Sequence, residues 1–152
     1  MEIRRAGVGD AAVITEHRVA MFTDMGHRDA AAMSAMAAAF QPWVAKKLEA
    51  GEYLAWFAVD SNGSVAAGLG LWLMDWLPHL VGGGSAIRGN IVNVYTRPEH
   101  RRQGLARELM RVSLDWCRSN AVHCVILHAS AEGRRLYESL GFTPTNEMRL
   151  LL

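Results

Sequence analysis

Apolar and polar positions follow the period of an α-helix over much of the first fifty residues. Residues 11–25 place five side chains near one face, namely Ile14, Arg18, Met21, Phe22 and Met25, of which all but Arg18 are apolar. Asp10 precedes this run as a candidate N-cap. Residues 29–50 are again helical in pattern, and Pro42 inside them predicts a kink or two shorter helices. A short strand at residues 2–6 is predicted to come before both helices.

The period changes after residue 52 to that of β-strands. Residues 53–60, 65–76 and 86–96 are rich in valine, leucine and aromatic residues, and each is a predicted strand. The turn Asp60-Ser61-Asn62-Gly63 joins the first two as a hairpin. The glycine run at residues 82–85 predicts a loop before the third strand.

The C-terminal half returns to helices and strands in alternation. Residues 102–120 form the clearest helix, since Leu105, Leu109, Val112 and Trp116 recur at helical spacing. A strand at residues 122–128, a short helix at 132–140 and a final strand at 147–152 follow. The resulting order predicts one α/β domain over residues 1–152, with a mixed sheet covered by helices rather than a doubly wound sheet.

Composition narrows the class of protein. The 152 residues carry a net charge of +1, so no global field attracts nucleic acid or an anionic membrane. The two cysteines, Cys117 and Cys124, lie in apolar segments and are expected to be free thiols in a reducing compartment. No signal peptide and no run of the ~20 apolar residues that span a bilayer is visible, so we expect a cytoplasmic protein. The histidines are scattered, and we expect no metal site.

The segment between the third long strand and the clearest helix carries the most chemistry. We call residues 97–106 the arginine loop, because Arg97, Arg101 and Arg102 stand there against one carboxylate, Glu99. The first turn of a helix has N–H groups without internal partners and is electrically positive. Arginines at this end are unfavourable by about 0.3–1 kcal/mol per charge. That cost disappears when an anion binds, so the loop predicts a phosphate site.

Small residues support the same prediction. Gly104 and Ala106 would let a phosphate approach the backbone amides closely. The P-loop motif requires Gly-Lys-Ser or Gly-Lys-Thr after its glycines, and the chain has no such run. The dinucleotide motif requires three spaced glycines, whereas Gly104 stands alone. Arginines that simply point into solvent are the remaining alternative.

Two motifs together resemble the GNAT superfamily of acetyl-CoA-dependent N-acetyltransferases. Arg101-Arg102-Gln103-Gly104-Leu105-Ala106 matches its central motif of Arg or Gln, two residues, Gly, one residue, then Gly or Ala. Residues 127–142, with Tyr137 in a short helix and Gly-Phe at the end, resemble the second motif. The resemblance is strong over residues 91–142. The ending Glu147-Met148-Arg149-Leu150 is similar to the tail of one group of small bacterial members.

This resemblance implies a fold and a cosubstrate. The fold would be a central mixed, mostly antiparallel sheet of six to seven strands flanked by about four helices. Acetyl-CoA would donate its acetyl group to the primary amine of a small molecule or peptide, without a metal. The implied cofactor-binding residues are Val94, Tyr95, Thr96, Arg101, Arg102, Gln103, Gly104, Leu105, Ala106, Arg107 and Ser130. Many members carry asparagine where Ser130 stands, and Ser130 could instead cap the helix that follows.

The resemblance also implies Tyr137 as the catalytic acid that protonates the leaving sulfur. An ordinary tyrosine pKa of about 10 keeps the hydroxyl protonated at neutral pH. The alternative is a buried tyrosine with a satisfied hydroxyl. The base is left open among five residues: Glu16, Asp24, Asp75, His79 and His128. Asn93 cannot be a base but could orient the amine or a water molecule.

The acceptor would enter between the first two helices and the glycine loop at residues 82–85. The apolar residues that could form its wall are Met21, Phe22, Met25, Trp72 and Trp76, although the core or the surface is the first expectation for each. The main alternative function is a CoA-binding module without turnover. A nucleic-acid-binding protein is disfavoured by acidic neighbours of the arginines. The apolar ending at residues 148–152 fits either a core strand or the interface of a homodimer.

Overall fold

A five-stranded sheet forms the centre of the computed structural model, which describes all 152 residues. The strands are β1 (Glu2–Arg5), β2 (Tyr53–Val59), β3 (Val65–Asp75), β4 (Ile87–Thr96) and β5 (Val125–Leu127). They lie side by side in chain order. The three pairs within β1 to β4 are antiparallel, and the pair of β4 and β5 is parallel. The sheet is therefore mixed and mostly antiparallel, as predicted.

Four α-helices flank this sheet. They are α1 (Ala11–Asp24), α2 (Ala30–Glu49), α3 (Leu105–Ser119) and α4 (Arg134–Ser139). Short 3₁₀ turns at Val8–Asp10 and Pro98–His100 lead towards α1 and α3. The helix count agrees with the sequence-based expectation.

The two faces of the sheet are covered by different helices. On one face, Val44 of α2 and Ile14 of α1 pack with Phe57 of β2. On the other face, Leu109 of α3 packs with strand residues such as Leu71, in a cluster that Tyr137 of α4 joins. Strand β2 is buried along almost its whole length because both faces are covered. This layering places the β4–α3 connection at one end of the sheet.

The predicted strand count of six to seven is wrong, because residues 147–152 do not form a strand. Met148 is 94% exposed and Leu150 is 80% exposed. A strand is stabilised by hydrogen bonds to a neighbour, and the edge nearest in sequence, β5, has only three residues. The apolar ending therefore remains unpaired within one chain.

Two local expectations at the helices meet the structure differently. Helix α2 continues through Pro42, so the alternative of two shorter helices is wrong and a kink stays a prediction. Proline removes one backbone hydrogen bond, and the two residues that follow it, Trp43 and Val44, pack in the core and hold the helix there. Asp10 stands at the N-cap position of α1 but makes no capping bond there. Its carboxylate accepts instead from the Gly7 amide at 2.8 Å and from Arg4.

The cysteines are free, as predicted from the sequence. Cys117 is buried and Cys124 is partly buried. Burial raises the pKa of the Cys117 thiol to about 11, so this thiol stays protonated and unreactive at neutral pH. No helix combines the length and apolar character needed to cross a membrane.

Candidate active site

A gap opens between β4 and β5 at the end of the sheet where β4 leads into α3. The two strands pair at three positions, from Gly89 with Val125 to Ile91 with Leu127. Strand β5 ends there, whereas β4 continues to Thr96. The edge of β4 beyond Ile91 therefore has no strand beside it on this side.

A β-bulge at Asn93 orients this free edge. The pairing of β3 with β4 shifts between Gly68 and Gly70, so that one residue of β3 opposes Asn93 and Val94 together. Asn93 has φ of 53°, a left-handed conformation that asparagine tolerates better than most residues. The bulge adds one residue to β4. Each residue after it therefore faces the opposite edge of the strand from the one it would face in a regular strand.

The backbone amides of Val94 and Thr96 consequently face the gap. The Arg97 amide donates to the Ala66 carbonyl at 2.9 Å, which places it on the β3 side. Successive residues of a strand point to opposite edges, so Tyr95 also faces β3 while Val94 and Thr96 face away from it. The ring of Tyr95 packs against His17 at 5.0 Å between centroids. Of these three predicted residues, two offer amides to the gap.

The arginine loop presents a row of free backbone donors beside this gap. Helix α3 begins after Gly104 and has no side-chain cap. The first helical bond is from the Glu108 amide to the Gly104 carbonyl, and the six amides of residues 102–107 have no acceptor within the protein. Arg102 and Gly104 have φ of 60° and 79°. Left-handed residues alternating with others turn successive N–H groups towards one concave side, which suits an anion.

Two of the three arginines in the loop already hold carboxylates of α1. Arg97 donates to the Val65 carbonyl at 2.8 Å and to Glu16 at 2.8 Å. Arg101 donates to the Thr96 carbonyl at 3.1 Å and forms an ion pair with Asp24. Arg97 is therefore a structural tie between α1 and β3.

Arg102 differs from these two arginines because its guanidinium makes no ion pair. Its side chain is exposed. A bound phosphate would therefore meet a free guanidinium at Arg102. At Arg101 it would compete with Asp24 for the guanidinium.

The remaining predicted residues of the loop have mixed roles. Leu105 is buried in the core, and its amide is among the free donors. Arg107 donates from Nη2 to Ser139 Oγ at 2.9 Å, which ties α3 to α4. Gln103 lies with Nε2 at 3.5 Å from the Glu99 carbonyl. A Cβ added to Gly104 would meet nothing within 4 Å, so the space beside its amide is open.

Ser130 acts as a cap at the turn that leads into α4. Its Oγ accepts from the Gly133 amide at 3.1 Å, and its carbonyl accepts from the Arg134 amide at 3.1 Å. The structure therefore favours the capping interpretation of this residue. The cap uses one acceptor site of the hydroxyl oxygen, and the O–H donor has no partner within the protein.

Tyr137 is buried on α4, and its hydroxyl is unused within the protein. Burial is the cause that raises its pKa above the ordinary value, with no hydrogen bond or charge in opposition. The hydroxyl oxygen is also not among the fully enclosed polar atoms that lack a partner. Gly133 makes room for the ring, since a Cβ there would lie 2.7 Å from Cε2 of Tyr137. The hydroxyl is thus protonated and available to a ligand.

The five candidate bases are scattered over the surface. Glu16 and Asp24 are held by Arg97 and Arg101, as described above. His79 lies in the loop before β4 and accepts the Val81 amide at Nδ1. His128 contacts Glu147 at 2.7 Å, with 72% of its side chain exposed. Asp75 is exposed at the end of β3. The structure does not gather them around one point.

A buried polar chain beside the bulge was missed by the sequence analysis. Asn93 accepts from Arg18 at 2.7 Å through Oδ1 and donates to the Tyr53 hydroxyl at 2.9 Å through Nδ2. Burial raises the pKa of Tyr53 well above its ordinary value, so the phenol is neutral. Both polar atoms of the Asn93 amide therefore already have a partner within the protein. The sequence analysis placed Arg18 on the same helical face as the apolar residues of α1 but gave it no role.

The predicted apolar wall is divided between different surroundings. Phe22 lies under the Arg18 guanidinium, and Trp72 packs edge-on to Trp43 at 5.3 Å. Trp76 is covered by Arg88, whose Cζ lies 4.2 Å from its ring centroid. Met25 is 54% exposed. No group of three or more histidine, cysteine, aspartate or glutamate side chains could hold a metal ion.

Comparison with known proteins assigns the family. The profile of the acetyltransferase (GNAT) family matches residues 11–142. A GCN5-related N-acetyltransferase from Ralstonia eutropha JMP134 is 33% identical, with a TM-score of 0.93 over 99% of this chain and 97% of that chain. No curated protein sequence matches the chain. The protein belongs to the GNAT family and is an acetyltransferase.

Two further solved structures share the fold at lower identity. A predicted acetyltransferase from Clostridium acetobutylicum, crystallised with acetyl-CoA, is 23% identical with a TM-score of 0.89, covering 99% of this chain and 95% of that chain. An aminoglycoside antibiotic 6'-N-acetyltransferase from Acinetobacter haemolyticus is 19% identical with a TM-score of 0.71, covering 100% and 97%. These two similarities concern the fold alone.

Proposed function

We propose that this protein transfers the acetyl group of acetyl-CoA to the primary amine of a small molecule or peptide, by direct attack within a ternary complex. The observation that carries the proposal is the row of six unpartnered amides at residues 102–107, beside the open edge of β4. Free N–H groups at a helix start, with arginines around them, are suited to a pyrophosphate. The family of the chain uses this cosubstrate.

The cofactor would be held by residues from three elements. The amides of residues 102–107 and the Arg102 guanidinium would bind its phosphates, with Arg101 released in part from Asp24. The amides of Val94 and Thr96 would hydrogen-bond the arm that lies in the gap. Acetyl-CoA supplies an activated acyl group, whose thioester carbon is attacked by the amine.

Tyr137 is the proposed acid of this reaction. Its hydroxyl has no partner inside the protein, and burial keeps it protonated at neutral pH. A thiolate leaving group gains a proton from such a hydroxyl when the two lie within hydrogen-bond distance. The base is not assigned to a residue, because the candidates are scattered and several are held in ion pairs.

Calorimetry and an amine panel test the proposal together. We expect acetyl-CoA to bind the wild-type protein and to bind at least about tenfold more weakly to an Arg101→Ala/Gly104→Glu double variant, because charged hydrogen bonds are lost and a carboxylate is introduced. Release of the CoA thiol in the presence of amines would establish transfer. Binding without transfer to any amine would indicate a CoA-binding module, and a folded protein that does not bind acetyl-CoA would contradict the proposal.

We also propose that residues 1–152 act as one cytoplasmic domain that forms a homodimer. Free cysteines suit a reducing compartment. The exposed apolar ending at residues 148–152 and the short, open edge strand β5 occur in the same chain. A second copy could therefore offer its ending to this edge while receiving the ending of the first, a self-complementary arrangement typical of two-fold dimers.

A further inference from the structure

Arg18 is a partly buried cation beside the β4 bulge that has no carboxylate partner. Its Nη1 donates to Asn93 Oδ1 at 2.7 Å. Its Cζ lies 4.9 Å from the ring centroid of Phe22 and 4.8 Å from that of Phe40. Burial lowers the pKa of the guanidinium, which nevertheless remains charged. This charge has been taken partly out of water without an opposite charge beside it.

No carboxylate of the elements packed around Arg18 pairs with its guanidinium. The two acids of α1 are Glu16 and Asp24, and both are paired with arginines of the loop. Helix α2 has one acid, Glu49, at its last residue, and β4 has none. The polar neighbours of the guanidinium are thus the neutral Asn93 and, through it, Tyr53. Neutral acceptors and aromatic faces compensate a buried charge less completely than a carboxylate does.

The guanidinium also keeps a donor group free for a ligand. Nε is enclosed without a hydrogen-bond partner. Nη2 makes no hydrogen bond within the protein and is not enclosed. An anionic oxygen at Nη2 would supply the missing charge. A carboxylate is a suitable anion because one of its oxygens can accept a charge-assisted hydrogen bond from this single nitrogen.

The position of Arg18 relates this free donor to the reaction site. The side-chain oxygen of Asn93 accepts a hydrogen bond from the guanidinium. The next residue, Val94, directs its backbone amide into the gap between β4 and β5. A ligand that held its carboxylate at Arg18 would therefore place a neighbouring group close to the gap. In an α-amino acid, that neighbouring group is the amine.

We propose that Arg18 binds the carboxylate of the acceptor, and that the acceptor is an α-amino acid. This inference rests on the proposed acetyl transfer and names its substrate class. The aromatic side chains around Arg18, which include Phe22 and Phe40, line the same region. Arg18 is in this proposal a specificity-determining residue.

Matched sets of acceptors test the proposal. Each set contains an amino acid, its amide and the amine that lacks the carboxyl group, for example L-phenylalanine, L-phenylalaninamide and phenethylamine, with a second set built on L-methionine. Initial rates of CoA release are measured with acetyl-CoA held constant. We expect kcat/KM for the amino acid to exceed that for the amide and the amine by about ten- to a hundredfold, the usual range for a hydrogen bond to a charged group.

Two variants and one control separate recognition from structure. Arg18→Gln should lower kcat/KM for the amino acid by about ten- to a hundredfold, mainly through KM, and change that for the amine by less than about threefold. Arg18→Lys should retain part of the preference because it keeps the charge. Arg5→Gln removes an exposed charge on β1 and should behave as wild type. Melting temperatures check that each variant is folded.

The outcomes decide between this inference and the proposed function. Equal losses for all three acceptors in Arg18→Gln would mean that Arg18 only positions Asn93, and would overturn the inference. Transfer to amines and amides without a preference for amino acids in the wild type would overturn it as well, while acetyl transfer stands. Binding of acetyl-CoA with transfer to amines of the wider panel but to no acceptor in the sets would overturn the inference alone. No transfer to any amine, or no binding at all, would overturn both.

Discussion

Burial has different consequences at two titratable side chains of this protein. Tyr137 keeps an available hydroxyl, and the raised pKa holds a proton that a leaving group can take. His17 is almost completely enclosed on α1 with both ring nitrogens unpartnered. Burial, followed by the charge of Arg97, lowers the pKa of His17 to about 4. Tyr137 can therefore take part in the reaction, whereas His17 affects the stability of the fold.

Replacement of the Tyr137 hydroxyl tests its catalytic role. We expect Tyr137→Phe to lower kcat by about 10²- to 10⁴-fold, the usual contribution of a positioned acid. The acetyl-CoA dissociation constant should be unchanged because the ring remains in place. CoA release measures the first quantity and calorimetry the second. Turnover at the wild-type rate with intact binding would remove Tyr137 from the mechanism.

His17 makes stability depend on pH in a defined window. The unfolded chain binds a proton at His17 below its ordinary pKa of about 6.5, whereas the folded protein does so only near pH 4. Between these values the unfolded state holds more protons, so the free energy of unfolding falls as pH falls. The contribution of His17 to this fall is about 3 kcal/mol in full.

A substitution at His17 isolates this contribution. The free energy of unfolding is measured with urea at pH 7 and at pH 4. From pH 7 to pH 4 it should fall by about 3 kcal/mol less in His17→Leu than in the wild type. The comparison uses the difference between the two pH values, so that a packing change common to both cancels. Identical falls in the two proteins would show that folding does not lower the pKa of His17.

At the level of elements, the start of α3 combines a helix terminus with left-handed backbone. Gly104 has φ of 79° and open space around its Cβ position. Gly63, in the turn between β2 and β3, has φ of 83° and the same open space. The two glycines therefore share their backbone requirement. They differ in that only Gly104 lies among the free amides.

This pair provides a matched test of the phosphate site. Gly104→Ala and Gly63→Ala should each lose about 1–2 kcal/mol of stability, because an L-residue is strained in this conformation. Gly104→Glu should weaken acetyl-CoA binding by at least about tenfold, since it places a carboxylate beside the amides. Gly63→Glu should bind as the wild type does. Equal affinities of the two glutamate variants would contradict a phosphate site at residues 102–107.

At the scale of the whole molecule, the open edge of the sheet and the exposed C-terminal residues favour association of two copies of the chain. Strand β5 has three residues and no neighbour beyond it. The ending carries Met148, Leu150, Leu151 and Leu152, all largely exposed. Burial of such side chains is favourable by about 1.5–3 kcal/mol each when it is complete. A second copy could supply that burial.

Light scattering of the intact and shortened chains tests the homodimer. We expect the intact protein to have twice the monomer mass of 16.7 kDa, and a chain ending at residue 146 to be a monomer. A full-length variant with Met148→Lys and Leu150→Lys should also be a monomer, because charges are costly to bury. An intact protein that is a monomer, or variants that stay dimeric, would contradict the role of the ending.

The sequence alone determined the features that depend on neighbours along the chain. The periodicity of α3 and the residues Arg101 to Ala106 identified both a helix start and its unusual positive charge. Local hydrogen-bonding rules apply there whatever the rest of the chain does. The same locality made the family recognisable, because its motifs are short and continuous.

Tertiary structure determined the features that join distant parts of the chain. Residues 147–152 have the composition of a strand, but whether they form one depends on a partner edge. The pairing of Arg97 and Arg101 with Glu16 and Asp24 crosses from β4 and the loop to α1. Arg18 meets Asn93 across 75 positions of sequence, at a bulge set by the register of β3 with β4. Long-range contacts of this kind arise from packing, and no short pattern in the sequence encodes them.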